Sequence, residues 1–340
     1  MVGTVELLWR DRTVYAVRTE ENAAAWLALA DVLRDRRPLG GLEDEFLATH
    51  ERLSATEPGV LGVVFSDPYA HFWLRLAFVL VQAVVAGGEL PPEAGALADE
   101  LGTDDPVDVL GVHLTEANRM LLAAALLSAT DVELATPFMA VLPMALPGAD
   151  QSLMGFGPQT ICGVSGGEVR DFRGEAVPRQ PHPVATVGDV SLAVQPHGLR
   201  VPGLGWVPAA AHTDLDEQAE HVPLIEQALS LVERYQPETL PQFGEVMRWV
   251  AVNPQVGDDS FASDSRLPGS FAVLHVLQPY VIAGACIHEF HHNRLFLLED
   301  QHPILAPDVD PDDLYYSPWR EEQRPLRGIL HALYVTIPEF

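Results

Sequence analysis

The sequence predicts an α+β protein with a mainly helical N-terminal part, a small antiparallel β region and a C-terminal part organised around one histidine-bearing helix. Three observations carry this reading. Through about residue 130, apolar residues recur at spacings of three and four, as at Trp26, Leu29, Ala30 and Leu33, which is the period of a helix face. From Asp131 to about Ala211 the pattern changes to short β-prone runs broken by glycine and proline. Further on, the stretch 281–300, VIAGACIHEFHHNRLFLLED, sets His288, Glu289 and His292 in the order H-E-x-x-H inside a run that reads as helix. The expected organisation is a helical domain at 1–130, a β-rich connecting region at 131–211 and a metal-binding region at 212–340.

Composition bounds the function. A chain of 340 residues with 48% hydrophobic content is long enough to bury a real core. Its formal net charge of -28 argues against nucleic acid, whose phosphates are bound by neutralising them, and favours a neutral or basic partner. All 20 basic residues are arginine, which excludes a Schiff-base lysine, a phosphate-loop lysine or a lysine general base and leaves anion binding to guanidinium groups. The two cysteines, Cys162 and Cys286, are too few for a disulfide framework. With no signal peptide in MVGTVELLWRDR, the expectation is a cytoplasmic, reducing compartment. The longest uncharged apolar run, near 76–87, is too short to span a bilayer, so no membrane association is expected.

In chain order, helices are expected at 22–36, 42–53, 68–85, 91–101 and 114–128, consistent with a helical cap domain. Ser66-Asp67-Pro68 is a helix start, because the aspartate can cap and the proline sits where a missing N–H costs nothing. The aromatics Tyr69, Phe72 and Trp73 that follow, with His71 among them, read as core packing rather than a binding box. Strands are expected at 138–146, 159–164, 185–194 and 198–207. Within them Gly163-Val164-Ser165-Gly166-Gly167 matches G-x-S-x-G, but a nucleophile elbow needs a helix directly after the serine, whereas Glu168-Val169-Arg170-Asp171 reads as a charged turn. A strong helix is expected at 214–235, a second at 240–247, a strand at 249–252, a polar loop at 253–268 and a strand at 270–277. The order helix, strand, loop, strand, motif helix is metallopeptidase-like, and it places an edge strand beside the motif where an extended peptide would pair.

The motif's chemistry follows from helical geometry. Residues four apart share a face, so His288 and His292 can converge on one metal ion, while Glu289, one step round, reaches a metal-bound water rather than the metal. Three histidines in five residues also suit an exposed polar helix end, but the apolar flanks Ile282 to Ile287 and Leu295 to Leu298 describe a buried helix. His291 is left as an outer or surface histidine. For a third ligand, position 298 holds leucine, Glu299 belongs to the motif helix itself, Glu321 and Glu322 precede an arginine pair, and His302 sits just before Pro303. His331 is preferred. If Pro325 is the first helical residue, Arg324, Arg327 and His331 share one face, which then carries a metal ligand and an anion site together. The segment 299–322, with eight acids against one arginine, reads as a solvated loop, with a lid for a cationic substrate as the alternative.

Three segments carry a resemblance. Arg266-Leu267-Pro268-Gly269-Ser270-Phe271, Ile287-His288-Glu289-Phe290-His291-His292-Asn293-Arg294-Leu295, and Tyr316-Ser317-Pro318-Trp319-Arg320 with Arg324-Pro325-Leu326-Arg327-Gly328 and His331 resemble the HExxH-type, 2-oxoglutarate-dependent peptide β-hydroxylases of ribosomal-peptide pathways. The match covers about 266–331. The resemblance implies Fe(II), 2-oxoglutarate as cosubstrate and hydroxylation of a β-carbon in a precursor peptide. Set beside the residue reading, it gives an expected site with His288, His292 and His331 as metal ligands, Glu289 as a catalytic group outside the ligand set, and Arg327, Arg324 or Arg320 as partner of the cosubstrate's distal carboxylate. The usual non-haem iron triad has two histidines and a carboxylate, so a three-histidine set departs from it; if Glu289 or an acid at 308–313 coordinates instead, His331 moves to an outer position. Two other readings stand beside it: a zinc metallopeptidase with Glu289 as general base, and a non-catalytic peptide-binding module with a structural metal.

Overall fold

The computed structural model describes residues 13–41, 43–195, 219–253, 260–274, 278–306, 309–310, 313–319 and 322–336. It is a mixed α+β protein, 53% helical and 21% strand, with small sheets, as the periodicities require. The chain forms two compact units. One, here the helical unit, comprises Thr19–His182 with Pro196–Thr213; the other, the motif unit, joins Pro183–Gln195 to Asp214–Phe340 and also takes Met1–Arg18. The stretch read from sequence as one connecting region is thus divided between both.

The helical unit contains α1 (Thr13–Arg36) from Thr19 onward, α2 (Glu43–Ser54), α3 (Pro58–Phe65), α4 (Pro68–Ala86), α5 (Gly95–Leu101), α6 (Pro106–Thr115) and α7 (Asn118–Leu127). Asp67 caps α4 by accepting the Tyr69 N–H at 2.8 Å, and its second oxygen accepts Gly148 N–H at 2.9 Å, tying the helix start to the turn after the first strand. Trp26, Phe46, Phe65 and Trp73 form one aromatic core, with Trp26 4.8 Å from Phe46 and 5.4 Å from Trp73 between ring centres. By length and composition α4 could cross a membrane, yet 56% of its apolar window is buried inside the protein. The expected helix at 114–128 is two helices broken at Glu116 and Ala117, and α3 was not expected at all, since its Gly59 and Gly62 leave no amphipathic period.

The same unit carries β1 (Val132–Leu146), β2 (Gln151–Ser165), β3 (Glu168–Asp171) and β4 (Arg179–Pro181), all antiparallel, with β3 and β4 paired to β2. Gly166 and Gly167, at φ 62° and 76°, form the two-residue turn between Ser165 and Glu168, which only glycine or a close substitute adopts at both positions. Ser165 therefore sits exposed at a hairpin end, and no helix follows it.

The motif unit is built on a mixed sheet in the order β5-β6-β7-β9-β8, from β5 (Val184–Val187), β6 (Val190–Gln195), β7 (Trp249–Asn253), β8 (Ser260–Ala262) and β9 (Ser270–Leu274). The expected strand at 185–194 is a hairpin, turned at Gly188 with φ 56°. The β6–β7 and β7–β9 pairings are parallel, and the chain crosses from β6 to β7 through α8 (Val222–Tyr235) and α9 (Thr239–Val246). The loop expected at 253–268 contains β8, an antiparallel edge strand. The expected strand at 198–207, the first turn of the helix expected at 214–235 and the end of the strand expected at 270–277 fall outside the described residues. Ile225, Ala228, Leu229 and Val232 of α8 pack with Phe243, Phe271 and Phe290, and this core seats α10 (Pro279–Gln301). The unit closes with the pair β10 (Leu314–Tyr315) and β11 (Arg324–Pro325) and with α11 (Leu326–Thr336).

One buried pair in the helical unit makes its stability pH-dependent. Trp73 Nε1 donates to the His113 carbonyl and His113 Nε2 to the Trp73 carbonyl, each at 2.9 Å, while burial pushes the His113 imidazole down to about 4. The native state thus refuses a proton that the unfolded chain accepts near pH 6.5, so stability is full above that pH and falls as pH drops from 6.5 towards 4. At roughly 1.4 kcal/mol per pH unit the loss from this residue is about 3 kcal/mol. His182, also lowered to about 4 by burial, titrates in the same direction. Urea denaturation across this pH range should therefore show a shallower acid slope in His113→Gln, reduced rather than abolished.

Candidate metal and anion site

Helix α10 positions most of the site because its burial leaves it no freedom. Thirteen of its residues are buried, among them Ile282, Cys286, Phe290 and Leu297, so the face carrying His288, His292 and Glu299 is fixed by what the opposite face packs against. His288 and His292 are half-buried neighbours, their ring centres 4.8 Å apart in an edge arrangement. His291 lies on the other side: it is buried, pushed down to about 3 by desolvation and then by Arg294 and His288, and its ring packs against Phe290 and Tyr334.

Helix α11 brings His331 against this face. The expected helix start at Pro325 is one residue early: Pro325 pairs with Leu314 in β11 and Arg324 with Tyr315, and Leu326 is the first helical residue. His331 stacks on His292 at 5.4 Å with the Nδ1 atoms 3.2 Å apart, and Phe296 packs against both rings. On its far side His331 Nε2 meets Glu299 Oε2 at 3.1 Å. Arg327 grips the same carboxylate, Nε to Oε1 at 3.0 Å and Nη2 to Oε2 at 2.6 Å. Burial resists ionisation of Glu299, but the His331 and Arg327 contacts outweigh it and hold the group down at about 2. A carboxylate only accepts, so His331 Nε2 carries the proton and its Nδ1 is turned to His292. Desolvation first, and then the neighbouring His288, push His292 down to about 3, which keeps it neutral with a lone pair to offer.

Among the described residues, no three His, Cys, Asp or Glu side chains are arranged to hold a metal ion as they stand. The pair His292 and His331 nonetheless has the spacing of co-ligands: two nitrogens ~2.05 Å from one tetrahedral ion stand about 3.3 Å apart, against 3.2 Å here. The Glu299 contact is the outer carboxylate that a metal-binding histidine ordinarily has.

Glu289 is buried beside this pair and accepts a hydrogen bond from Ser263 Oγ. Ser263 is in turn placed by Asn293, a fully buried residue one step past the motif. Asn293 Oδ1 accepts Gly269 N–H at 2.6 Å, and its Nδ2 lies 3.0 Å from Ser263 Oγ, 3.1 Å from the Ser270 carbonyl and 2.8 Å from the Glu289 carbonyl. The loop between β8 and β9 is thereby clasped to α10. Gly269, at φ 92°, presents its N–H through a backbone angle that other residues rarely adopt.

These groups border a cleft of about 820 Å³ lined on one side by Phe261 and Ala262 of the edge strand and on the other by α11. His288, Glu289, His292 and His331 all line it, as do Arg324 and Arg327. Arg327 is half exposed and its fork is occupied by Glu299. Arg324 has no carboxylate partner among the described residues, and Arg320 lies outside them. Asn293, Ser263 and Glu299 were not singled out from sequence as site residues. Glu299 stands seven residues past His292 and so on the same face, and Asn293 is a polar residue in an apolar helix, so both left a readable trace. Ser263 sits in a polar loop and left none. Neither models of known protein families nor characterised proteins match this chain.

Asn293→Ala should lower stability by roughly 2–4 kcal/mol, since it leaves a buried N–H and a buried carbonyl without partners. Amide exchange at Gly269 should accelerate in parallel. Asn293→Asp should not rescue it, because an acid there keeps the acceptor but faces two carbonyls.

Proposed function

We propose that the motif unit is an Fe(II)- and 2-oxoglutarate-dependent hydroxylase acting on the β-carbon of a residue in a ribosomally made peptide, as the HExxH-type peptide β-hydroxylases are. The observation that carries this reading is the pairing, in one cleft, of stacked His292 and His331 with an arginine, Arg324, that has no carboxylate partner among the described residues. His288, His292 and His331 would hold the metal. When bound, iron with 2-oxoglutarate supplies what no side chain can, the activation of dioxygen for insertion of one oxygen atom into a C–H bond.

The protein's own residues do the rest. Glu299 orients His331 through the Nε2 contact and keeps its Nδ1 towards the metal position. Arg327 holds Glu299 ionised, which leaves Arg324 to receive the cosubstrate's distal carboxylate as a charge-assisted pair. Strand β8 offers an open edge along the cleft, where an extended peptide would be held by main-chain hydrogen bonds, and Phe261 faces what that peptide presents. Glu289, anchored by Ser263, is placed to accept or return a proton beside the metal position.

The buried position of Glu289 next to the histidine pair also supports a second reading, a zinc metallopeptidase with Glu289 as general base. Incubation with a peptide encoded beside the gene, Fe(II), ascorbate and 2-oxoglutarate separates the two: gain of one oxygen by mass supports the hydroxylase, and cleavage with tightly held zinc supports the peptidase. Arg324→Ala should raise the 2-oxoglutarate concentration for half-maximal turnover at least tenfold while iron stays bound, as loss of a charge-assisted pair worth ~1.5–3 kcal/mol requires. Arg327→Ala should act through Glu299 and weaken metal retention as well, and His331→Ala should lose iron first. Unchanged 2-oxoglutarate dependence in both arginine variants would sink the cosubstrate assignment.

A further inference from the structure

The helical unit holds a second cleft, of about 480 Å³, between α2, α5, the α6–α7 junction and β1. At its floor lies Arg119, 2% exposed, with the guanidinium 4.3 Å above the Tyr69 ring. Glu116 Oε2 is 3.4 Å from Arg119 Nη1, an ion pair without hydrogen-bond alignment, and Nε and Nη1 have no acceptor. Buried charged donors left this way are costly, so the site calls for an oxygen. His113 also lines the cleft. Its Nε2 donates to the Trp73 carbonyl, so Nδ1 is a lone pair, and that atom too has no partner. Three carboxylates, Glu45, Glu100 and Glu116, line the same space.

The charge balance selects the ligand. A plain carboxylate would meet three acids against one guanidinium, and a plain amine would leave the Arg119 N–H groups unfilled. A group carrying both an ammonium and an oxygen acceptor satisfies both. The walls are apolar, with Leu97 and Met144 buried and Leu101, Val112 and Met139 exposed at the mouth. We infer that this cleft binds an α-ammonium that stands beside an acceptor oxygen and carries an apolar side chain, whether in a free amino acid or in the first residue of a peptide. The oxygen meets Arg119, the ammonium faces Glu45, Glu116 and His113 Nδ1, and the side chain lies on the methionine and leucine wall. Nothing here depends on the function proposed for the motif unit.

Calorimetric titration of the full chain with L-leucine, the peptide Leu-Gly-Gly and N-acetyl-L-leucine tests this. Saturable binding of leucine or Leu-Gly-Gly is expected, with the acetylated compound at least tenfold weaker because its ammonium is gone. The tighter of the first two identifies the source. Arg119→Gln should weaken binding at least tenfold. Met139→Trp, at a position 59% exposed, should obstruct the mouth and do the same with an unchanged circular dichroism spectrum and melting temperature. Should Arg119→Gln fail to fold, Met139→Trp alone decides. The inference is overturned if no probe binds at millimolar concentration, if N-acetyl-L-leucine binds as well as leucine, or if Met139→Trp binds normally.

Discussion

The motif unit depends on the clasp made by Asn293. A helix with thirteen buried residues has little use for a carboxamide unless its polar atoms are answered, and here one side chain answers a glycine N–H, a serine hydroxyl and two carbonyls. Because Asn293 adjoins His292, the loop it holds cannot drift without moving the helix face that carries the histidines. Ser263 is fixed by the same clasp, and through Ser263 so is the Glu289 carboxylate. Strand β8, which precedes that loop, thus keeps a set distance from the motif. Cleft width, carboxylate position and edge-strand position are one variable.

Much of this was legible in the sequence, and the limits are physical. The H-E-x-x-H spacing and its apolar flanks placed α10 within two residues at either end, since long buried helices announce themselves. Asp67-Pro68 marked the start of α4 because capping is local chemistry. Strand β8 was invisible: three residues in a polar stretch carry no period, and it exists because β9 offers an edge. The parallel pairings of β7 were likewise unreadable, because pairing partners are set by long-range packing and not by the pattern within each strand. At the site, His331 was reachable only by elimination, and the structure sets it beside His292. Glu299 reads from sequence only as part of the motif helix, although a helix returns to the same face after seven residues and α11 supplies the histidine that meets it.

Glu299 also explains why Arg327 and Arg324, three residues apart at a helix start, are not equivalent. The Glu299 carboxylate is held ionised by His331 and Arg327 together, and the planar fork of Arg327 supplies two bonds to it. That engagement consumes the geometry a second carboxylate would need. Arg324, in β11 rather than in the helix, lines the cleft from a different backbone element. Had α11 begun at Pro325, both arginines would have shared a face.

Charge scarcity gives these arginines their meaning. With 48 acidic residues against 20 arginines and no lysine, a cation in this protein has more than two carboxylates available to it on average. An arginine without an acid, or one buried with donors unanswered, is therefore a departure from what the composition favours, since pairing would lower its energy at almost any surface position. Two arginines depart in this way among the described residues that line clefts: Arg324, beside the stacked histidines, and Arg119, under the acids of the helical unit. In an ordinary composition either would be unremarkable. Buried donors left unanswered cost Arg119 free energy despite the many acids available, which supports the ligand inferred for its cleft, while the partly buried Arg324 supports the proposed cosubstrate only by its position beside the histidines.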